Sequence, residues 1–190
     1  MKQHYFWQAV DGIGLEHLLL RQTADGIFAD SWVIGEVEGE PFRLHYTLHC
    51  DSQWRTRVVT AAVLTPELKH IEVTVNEEGV WTDRFNNAIE ELDGCVDLDI
   101  SATPFTNTLP IRRVSLQSGE AAVFEVAYLS IPDLEWRLSM QRYTCLQRTS
   151  KGARYRFESL RSGFTAEIAV DNEGLVTHYE GLFTRKPTSY

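Results

Sequence analysis

The stretch Phe42-Arg43-Leu44-His45-Tyr46-Thr47-Leu48-His49-Cys50-Asp51 alternates without a break. Phe42, Leu44, Tyr46, Leu48 and Cys50 fall on one side of an extended chain, and Arg43, His45, Thr47, His49 and Asp51 on the other. A strand turns successive side chains to opposite faces, so this period of two predicts a half-buried antiparallel strand. Trp54-Thr56-Val58 against Arg55-Arg57 continues the pattern, as do Ile71-Val73-Val75 and Phe124-Val126-Tyr128. So do Leu134-Trp136-Leu138-Met140 against Glu135-Arg137-Ser139-Gln141, then Tyr155-Phe157 and Ile168-Val170. Turn-forming clusters such as Ala24-Asp25-Gly26, Asn76-Glu77-Glu78-Gly79, Lys151-Gly152 and Asp171-Asn172-Glu173-Gly174 separate the runs. Many short strands at this spacing predict a mainly β fold: one domain over 1–190, a curved antiparallel β-roll with a barrel-like shape.

One stretch departs from the period of two. Phe85, Ala88, Ile89 and Leu92 recur at helical spacing, with Thr82 or Asp83 as N-cap and Gly94 as stop, which predicts one short helix over 84–92. An internal echo is also present. Val73-Thr74-Val75-Asn76-Glu77-Glu78-Gly79-Val80 matches Ile168-Ala169-Val170-Asp171-Asn172-Glu173-Gly174-Leu175 in pattern. Hairpins share such patterns generally. A duplication would place related units at about 27–81 and 121–185, joined by 82–120.

The 190 residues carry 18 basic and 27 acidic side chains, a formal charge of −9. That field repels a phosphate backbone, so nucleic acid is not the expected partner. The longest apolar run, Val58 to Leu64, is interrupted by Thr60 and falls far short of the roughly 20 residues of a membrane-spanning helix. The first residues lack the apolar stretch of a signal peptide. Three cysteines, Cys50, Cys95 and Cys145, form no CxxC pair and do not read as a disulfide framework. A cytoplasmic location is expected.

No phosphate-binding glycine loop, dinucleotide fingerprint, HExxH, EF-hand loop or nucleophile elbow occurs. His45 and His49 share a strand face but lack a third ligand, so neither a metal nor a cofactor is expected. Two regions hold chemistry. Asp97-Leu98-Asp99 puts two carboxylates on one face of a strand, suited to acid/base work or to pairing with Arg112 and Arg113. The segment Ala102 to Arg113 fixes Phe105-Thr106-Asn107-Thr108 between two prolines and leads toward a strand at Val114-Leu116. Adjacent arginines on a strand alternate faces, so at most one of Arg112 and Arg113 is expected to reach the aspartates.

At these residues the sequence resembles a known family. Gly94-Cys95-Val96-Asp97-Leu98-Asp99 and Thr103-Pro104-Phe105-Thr106-Asn107-Thr108-Leu109-Pro110-Ile111-Arg112-Arg113 carry the likeness. Asp51 with Trp54-Arg55, Gln141-Arg142-Tyr143-Thr144, Tyr155 with Glu158-Ser159, and the tail Asp171 to Arg185 extend it. The family is a glycolipid-binding group of bacterial proteins, most of them uncharacterised. The resemblance implies a spiral β-roll of many strands. It transfers no catalytic residues.

Three functions fit. The first is non-enzymatic binding of an amphipathic ligand, a glycolipid or acyl conjugate, in a cavity of the roll. Its candidate contacts are Trp54, Arg55, Asp97, Asp99, Asn107, Arg112, Arg113 and Tyr143. The second is a hydrolase or transferase working on a sugar- or phosphate-bearing substrate through the Asp97/Asp99 region. The third is a structural or oligomeric interaction protein. The residues favour the first, and no catalytic residue is assigned.

Overall fold

The computed structural model describes residues 2–65 and 67–187. Seven strands lie in the first half: β1 (Lys2–Ala9), β2 (Gly14–Thr23), β3 (Gly26–Val37), β4 (Glu40–Cys50), β5 (Thr56–Val63), β6 (Lys69–Val75) and β7 (Trp81–Asp83). Seven follow: β8 (Asp97–Ile100), β9 (Ala121–Ser130), β10 (Glu135–Thr149), β11 (Gly152–Ser159), β12 (Thr165–Asp171), β13 (Val176–Tyr179) and β14 (Phe183–Lys186). All fourteen join one open sheet in the order 7-6-5-4-3-2-1-14-13-12-11-10-9-8. Two meanders are thus spliced at the pairing of β1 with β14. The sheet is the curved β-roll that alternation predicts, and the strand at Phe42–Cys50 buries Phe42, Leu44, Tyr46, Leu48 and Cys50 as read.

One pairing is parallel. β8 runs alongside β9 from Asp97↔Val126 to Ile100↔Leu129. A parallel neighbour needs a long crossover, and residues 101–120 supply it. Here the helix lies elsewhere than 84–92. The α-helix α1 spans Thr108–Val114, preceded by a single 3-10 turn at Phe105–Asn107. Pro110 is tolerated in the first turn, where backbone N–H groups have no intrahelical acceptor. Arg112 and Arg113 occupy the last turn, the favourable end of the dipole for cations. Val114 is therefore helical, not the start of a strand.

Residues 84–92 fail to form a helix because the Asp83 carboxylate captures their amides. It accepts from the N–H of Phe85 at 2.8 Å and of Asn87 at 2.9 Å, and Asn86 turns left-handed at φ 63°. Only Glu90–Leu92 winds, as one 3-10 turn. The same device closes three other connections. Asp51, Asn76 and Asp171 each accept at Oδ1 the N–H four residues on, at 3.0, 2.9 and 3.0 Å. The intervening Trp54, Gly79 and Gly174 are left-handed. The turn pattern common to the two echoing stretches thus recurs outside them. At Gly174, φ is 81° and a Cβ would meet the Arg112 side chain at 2.7 Å. Gly174→Ala should lower stability by about 1–2 kcal/mol in urea denaturation, because the left-handed conformation penalises a Cβ while the arginine can move aside.

Two apolar clusters fill the roll. The larger takes Trp7, Leu44, Tyr46 and Trp81 from the first meander, Leu98 and Ile100 from β8, and Phe105 and Leu109 from the crossover. The smaller gathers Phe124, Tyr143, Tyr155, Phe157 and Ile168 in the second. β8 is covered on both faces. Leu98 and Ile100 enter the larger cluster, while Asp97 and Asp99 occupy the opposite face. The edge at β8–β10 also corrects the phase expected for β10. Its inward side chains are Ser139, Gln141, Tyr143 and Cys145, whereas Leu138 is 36% exposed. Trp136 lies on the back, packed edge-to-face on Trp81 at 5.8 Å in the first-half core. The core on that side belongs to the other meander, so the apolar phase of β10 switches faces along the strand.

Candidate functional site

The proline-bounded crossover is not a surface loop. Thr103, Phe105, Thr106, Asn107, Thr108 and Leu109 are all buried, and the side chains of Thr103, Thr106 and Asn107 bond to both halves of the roll. Thr103 Oγ1 donates to Glu16 Oε2 at 2.6 Å. Thr106 Oγ1 donates to Asp99 Oδ1 at 3.3 Å. Asn107 Nδ2 donates to Tyr143 Oη at 2.8 Å. Buried polar groups must find such partners, so this threonine- and asparagine-rich segment suits an interior route.

Asp99, Gln141, Tyr143 and Asn107 form one chain of bonds. Gln141 Nε2 donates to Asp99 Oδ2 at 2.6 Å, and Tyr143 Oη donates to Gln141 Oε1 at 3.4 Å. Burial pushes the Asp99 carboxyl above its ordinary range, opposed by Gln141, by Thr106 and by the charge of Arg137. The Tyr143 hydroxyl is pushed well up by burial and by the nearby Asp99 charge. Asp99, Asn107, Ser139 and Gln141 line one side of a cavity of about 280 Å³, with Tyr128 and Arg137 toward its mouth. Phe157, Phe164, Tyr179 and Phe183 form the other side. A polar wall facing an aromatic one can hydrogen-bond hydroxyls on one side and cover C–H faces on the other.

The remaining expected contacts disperse. Asp97 is fully buried and paired in a two-point contact with Arg113, Nε to Oδ1 at 3.1 Å and Nη2 to Oδ2 at 2.6 Å. Burial still holds its carboxyl above the ordinary range, with Arg113 pulling it down. Arg112 instead stacks over Trp54 at 5.2 Å. One arginine reaches the aspartates and the other does not, as expected, though a helix rather than a strand separates them. Arg55 is exposed and lines a different depression. The eight candidates therefore divide: Asp99 and Asn107 line the cavity with Tyr143 bonded behind them, Arg55 lies apart, and Asp97–Arg113 and Trp54–Arg112 are separate pairs. Among the described residues no group of three His, Cys, Asp or Glu is placed to hold a metal ion. His45 stacks on Trp32 and bonds Asp30 at 2.9 Å on the outer face. Among the described residues no helix is long and apolar enough to cross a membrane.

Residues 4–185 match the model of the family described as "Putative glycolipid-binding". The chain belongs to that family. A crystal structure of a DUF1089 family protein from Pseudomonas aeruginosa superposes with a TM-score of 0.81 at 35% identity, over 95% of each chain. Comparison with curated proteins returns no match. Within this glycolipid-binding family member a second opening of about 280 Å³ adjoins the first. Trp7, Leu15, Val33, Ile34 and Phe42 line it, with Glu16 among them, and it shares Ser101, Leu182 and Phe183 with the first cavity.

Glu16 was not among the sequence candidates. Its Oε1 accepts from Ser31 and Tyr46, each at 2.7 Å, and its Oε2 from Thr103. Burial raises its pKa to about 7 against the pull of those three hydroxyls. The signal was present in β2, where Glu16 shares the inward phase of Leu18 and Leu20.

Proposed function

We propose that the protein binds an amphipathic glycoconjugate, its saccharide head in the Asp99–Asn107–Gln141 cavity and its apolar portion in the adjoining groove. The observation that carries this reading is the shared wall: Ser101, Leu182 and Phe183 border both the polar, aromatic-sided cavity and the apolar groove. A ligand crossing that wall matches each half of itself to a surface of like polarity. The family description supports the same class of ligand. Each opening is at the small end of ligand-pocket sizes, which suits a single sugar and a short apolar segment rather than a whole lipid bilayer anchor. Non-enzymatic binding fits the disposition of the carboxylates, since Asp97 is engaged at both oxygens by Arg113. Cys50, Cys95 and Cys145 are free thiols, which suits a reducing, cytoplasmic setting.

Isothermal titration with octyl glucoside, glucose and octanol tests the reading. Octyl glucoside should bind at least about tenfold more tightly than either part alone, because one ligand engages both openings. Leu182→Glu, placed on the shared wall, should weaken octyl glucoside and leave any glucose binding in place. Octyl glucoside that binds no better than its parts would refute the proposal.

A further inference from the structure

Five arginines of this chain, Arg57, Arg113, Arg142, Arg154 and Arg185, lie within ion-pair distance of a carboxylate. Arg137 and Arg161 are among the arginines that have no such partner among the described residues, although acidic side chains outnumber basic ones by 27 to 18. Both line a depression of about 390 Å³ with Ser139, Ser159 and Ser162. Arg137 and those three serines also border the Asp99 cavity, so the depression is its outer continuation.

Donors remain there. Arg137 sits over the Tyr128 ring at 4.1 Å and is hydrogen-bonded to its hydroxyl, which positions a guanidinium with five N–H groups, most of them left for another acceptor. Ser159 Oγ accepts the hydroxyl of Ser162 at 2.8 Å, and Ser139 Oγ accepts from Gln141 Nε2 at 3.5 Å. Each of these two hydroxyls keeps its own hydrogen for an incoming acceptor. Two guanidinium groups and two open hydroxyl donors, with no carboxylate in the lining, form a receptor for an oxyanion. The Asp99 carboxylate, whose charge Arg137 already feels, lines the deeper cavity and is held there by Gln141 and Thr106.

We infer that Arg137, Arg161, Ser139 and Ser159 form an anion cradle at the cavity mouth that takes a phosphoryl group carried on the saccharide head. This rests on the cavity reading above and narrows its ligand to phosphorylated sugars, either free or lipid-borne. Arginine binds phosphate through paired, charge-assisted hydrogen bonds, and a phosphate on the sugar would sit where the cavity opens toward β10 and the β11–β12 connection.

The test titrates glucose 1-phosphate, inorganic phosphate and octyl glucoside into wild type, Arg161→Gln and the Arg137→Gln/Arg161→Gln double variant. Flotation with phosphatidylcholine vesicles containing phosphatidylinositol runs beside it. Glucose 1-phosphate should bind wild type, lose about tenfold in Arg161→Gln and more in the double variant, and weaken as salt rises. Arg161 is exposed and lies outside the saccharide cavity, so Arg161→Gln should fold and should hold octyl glucoside as wild type does. Arginine-dependent binding of glucose 1-phosphate supports a free sugar phosphate as ligand. Arginine-dependent flotation without it supports a lipid-borne one. Octyl glucoside binding with no arginine-dependent response to either phosphorylated probe overturns the cradle and leaves the cavity reading standing. Arginine-dependent phosphate binding with no response to octyl glucoside does the reverse. Inorganic phosphate binding as tightly as glucose 1-phosphate also overturns the inference, since the sugar would then contribute nothing.

Discussion

Replacing Arg113 with methionine should lower the stability of the fold by about 3–5 kcal/mol. Asp97 is fully buried, whereas the Arg113 side chain is 23% exposed. Removing the arginine therefore strands a carboxylate that water cannot reach, the more costly half of the pair to leave alone. Asp97→Asn leaves a cation with some access to solvent and should cost less. The pH dependence carries a definite sign. Burial already holds the folded-state pKa of Asp97 above its unfolded value. The folded protein then binds more protons than the unfolded chain, so this group favours folding at low pH and that contribution is lost as pH rises through its folded pKa. Without Arg113 the folded pKa climbs further. The deficit of the methionine variant should be larger at about pH 7 than at about pH 5, because lower pH favours the protonated carboxyl, which the missing arginine strands least. Guanidinium denaturation at both pH values checks this. A methionine variant as stable as wild type at neutral pH would mean that Asp97 finds another partner or water.

What the chain discloses in advance follows from how local each cause is. Alternation is a property of neighbouring residues, and the strand at Phe42–Cys50 and the β-roll class were legible from it. Helical spacing is local too, yet 84–92 is not a helix, because the Asp83 carboxylate outbids it for two amides. The helix forms instead at Thr108–Val114, where two prolines imply a rigid polar loop leading to a strand. Its burial between two meanders, with Leu109 and Ile111 covered, is a tertiary fact that no window of sequence contains. β10 shows the same limit. Its even-numbered apolar residues suggest the inward face, but Ser139 and Gln141 point in because a polar cavity lies there and the neighbouring core lies behind. Of the site, Asp99, Asn107 and Tyr143 were named from the residues and the family likeness. Arg137, Ser139 and Ser159 were not, since 20 or more residues separate Ser159 from the β10 side chains it faces across the depression. The threonines of the proline-bounded segment were read as loop formers. In the folded chain Thr103 and Thr106 instead supply hydroxyls to two buried carboxylates in opposite halves of the roll.

Glu16→Gln should reverse the sign of its effect on stability between about pH 4 and pH 8. Burial carries this carboxyl from an ordinary 4.5 to about 7, and Ser31, Tyr46 and Thr103 pull only partly in the other direction. A raised folded-state value means the stabilising contribution is complete below 4.5 and is lost as pH rises to about 7. That loss amounts to about 3 kcal/mol by pH 8 in the wild type, and glutamine cannot incur it. Glutamine has its own cost. The amide keeps an acceptor for Ser31 and Tyr46, but its NH₂ meets the Thr103 hydroxyl, which must turn from donor to acceptor while already accepting the N–H of Phe105 at 3.0 Å. That misfit costs about 1 kcal/mol at every pH. The variant should accordingly be less stable than wild type by about 1 kcal/mol near pH 4 and more stable by about 2 kcal/mol near pH 8. Urea denaturation at the two pH values decides it. A Glu16→Gln deficit of the same size at both would show that the three hydroxyls hold Glu16 ionised across the range and that burial does not dominate. Because Glu16 also lines the apolar groove, an apolar chain bound there would displace water from the same carboxyl and favour its protonated form. By linkage, whatever favours protonation of Glu16 on binding makes binding weaken as pH rises through 7, in the same direction as the fold itself.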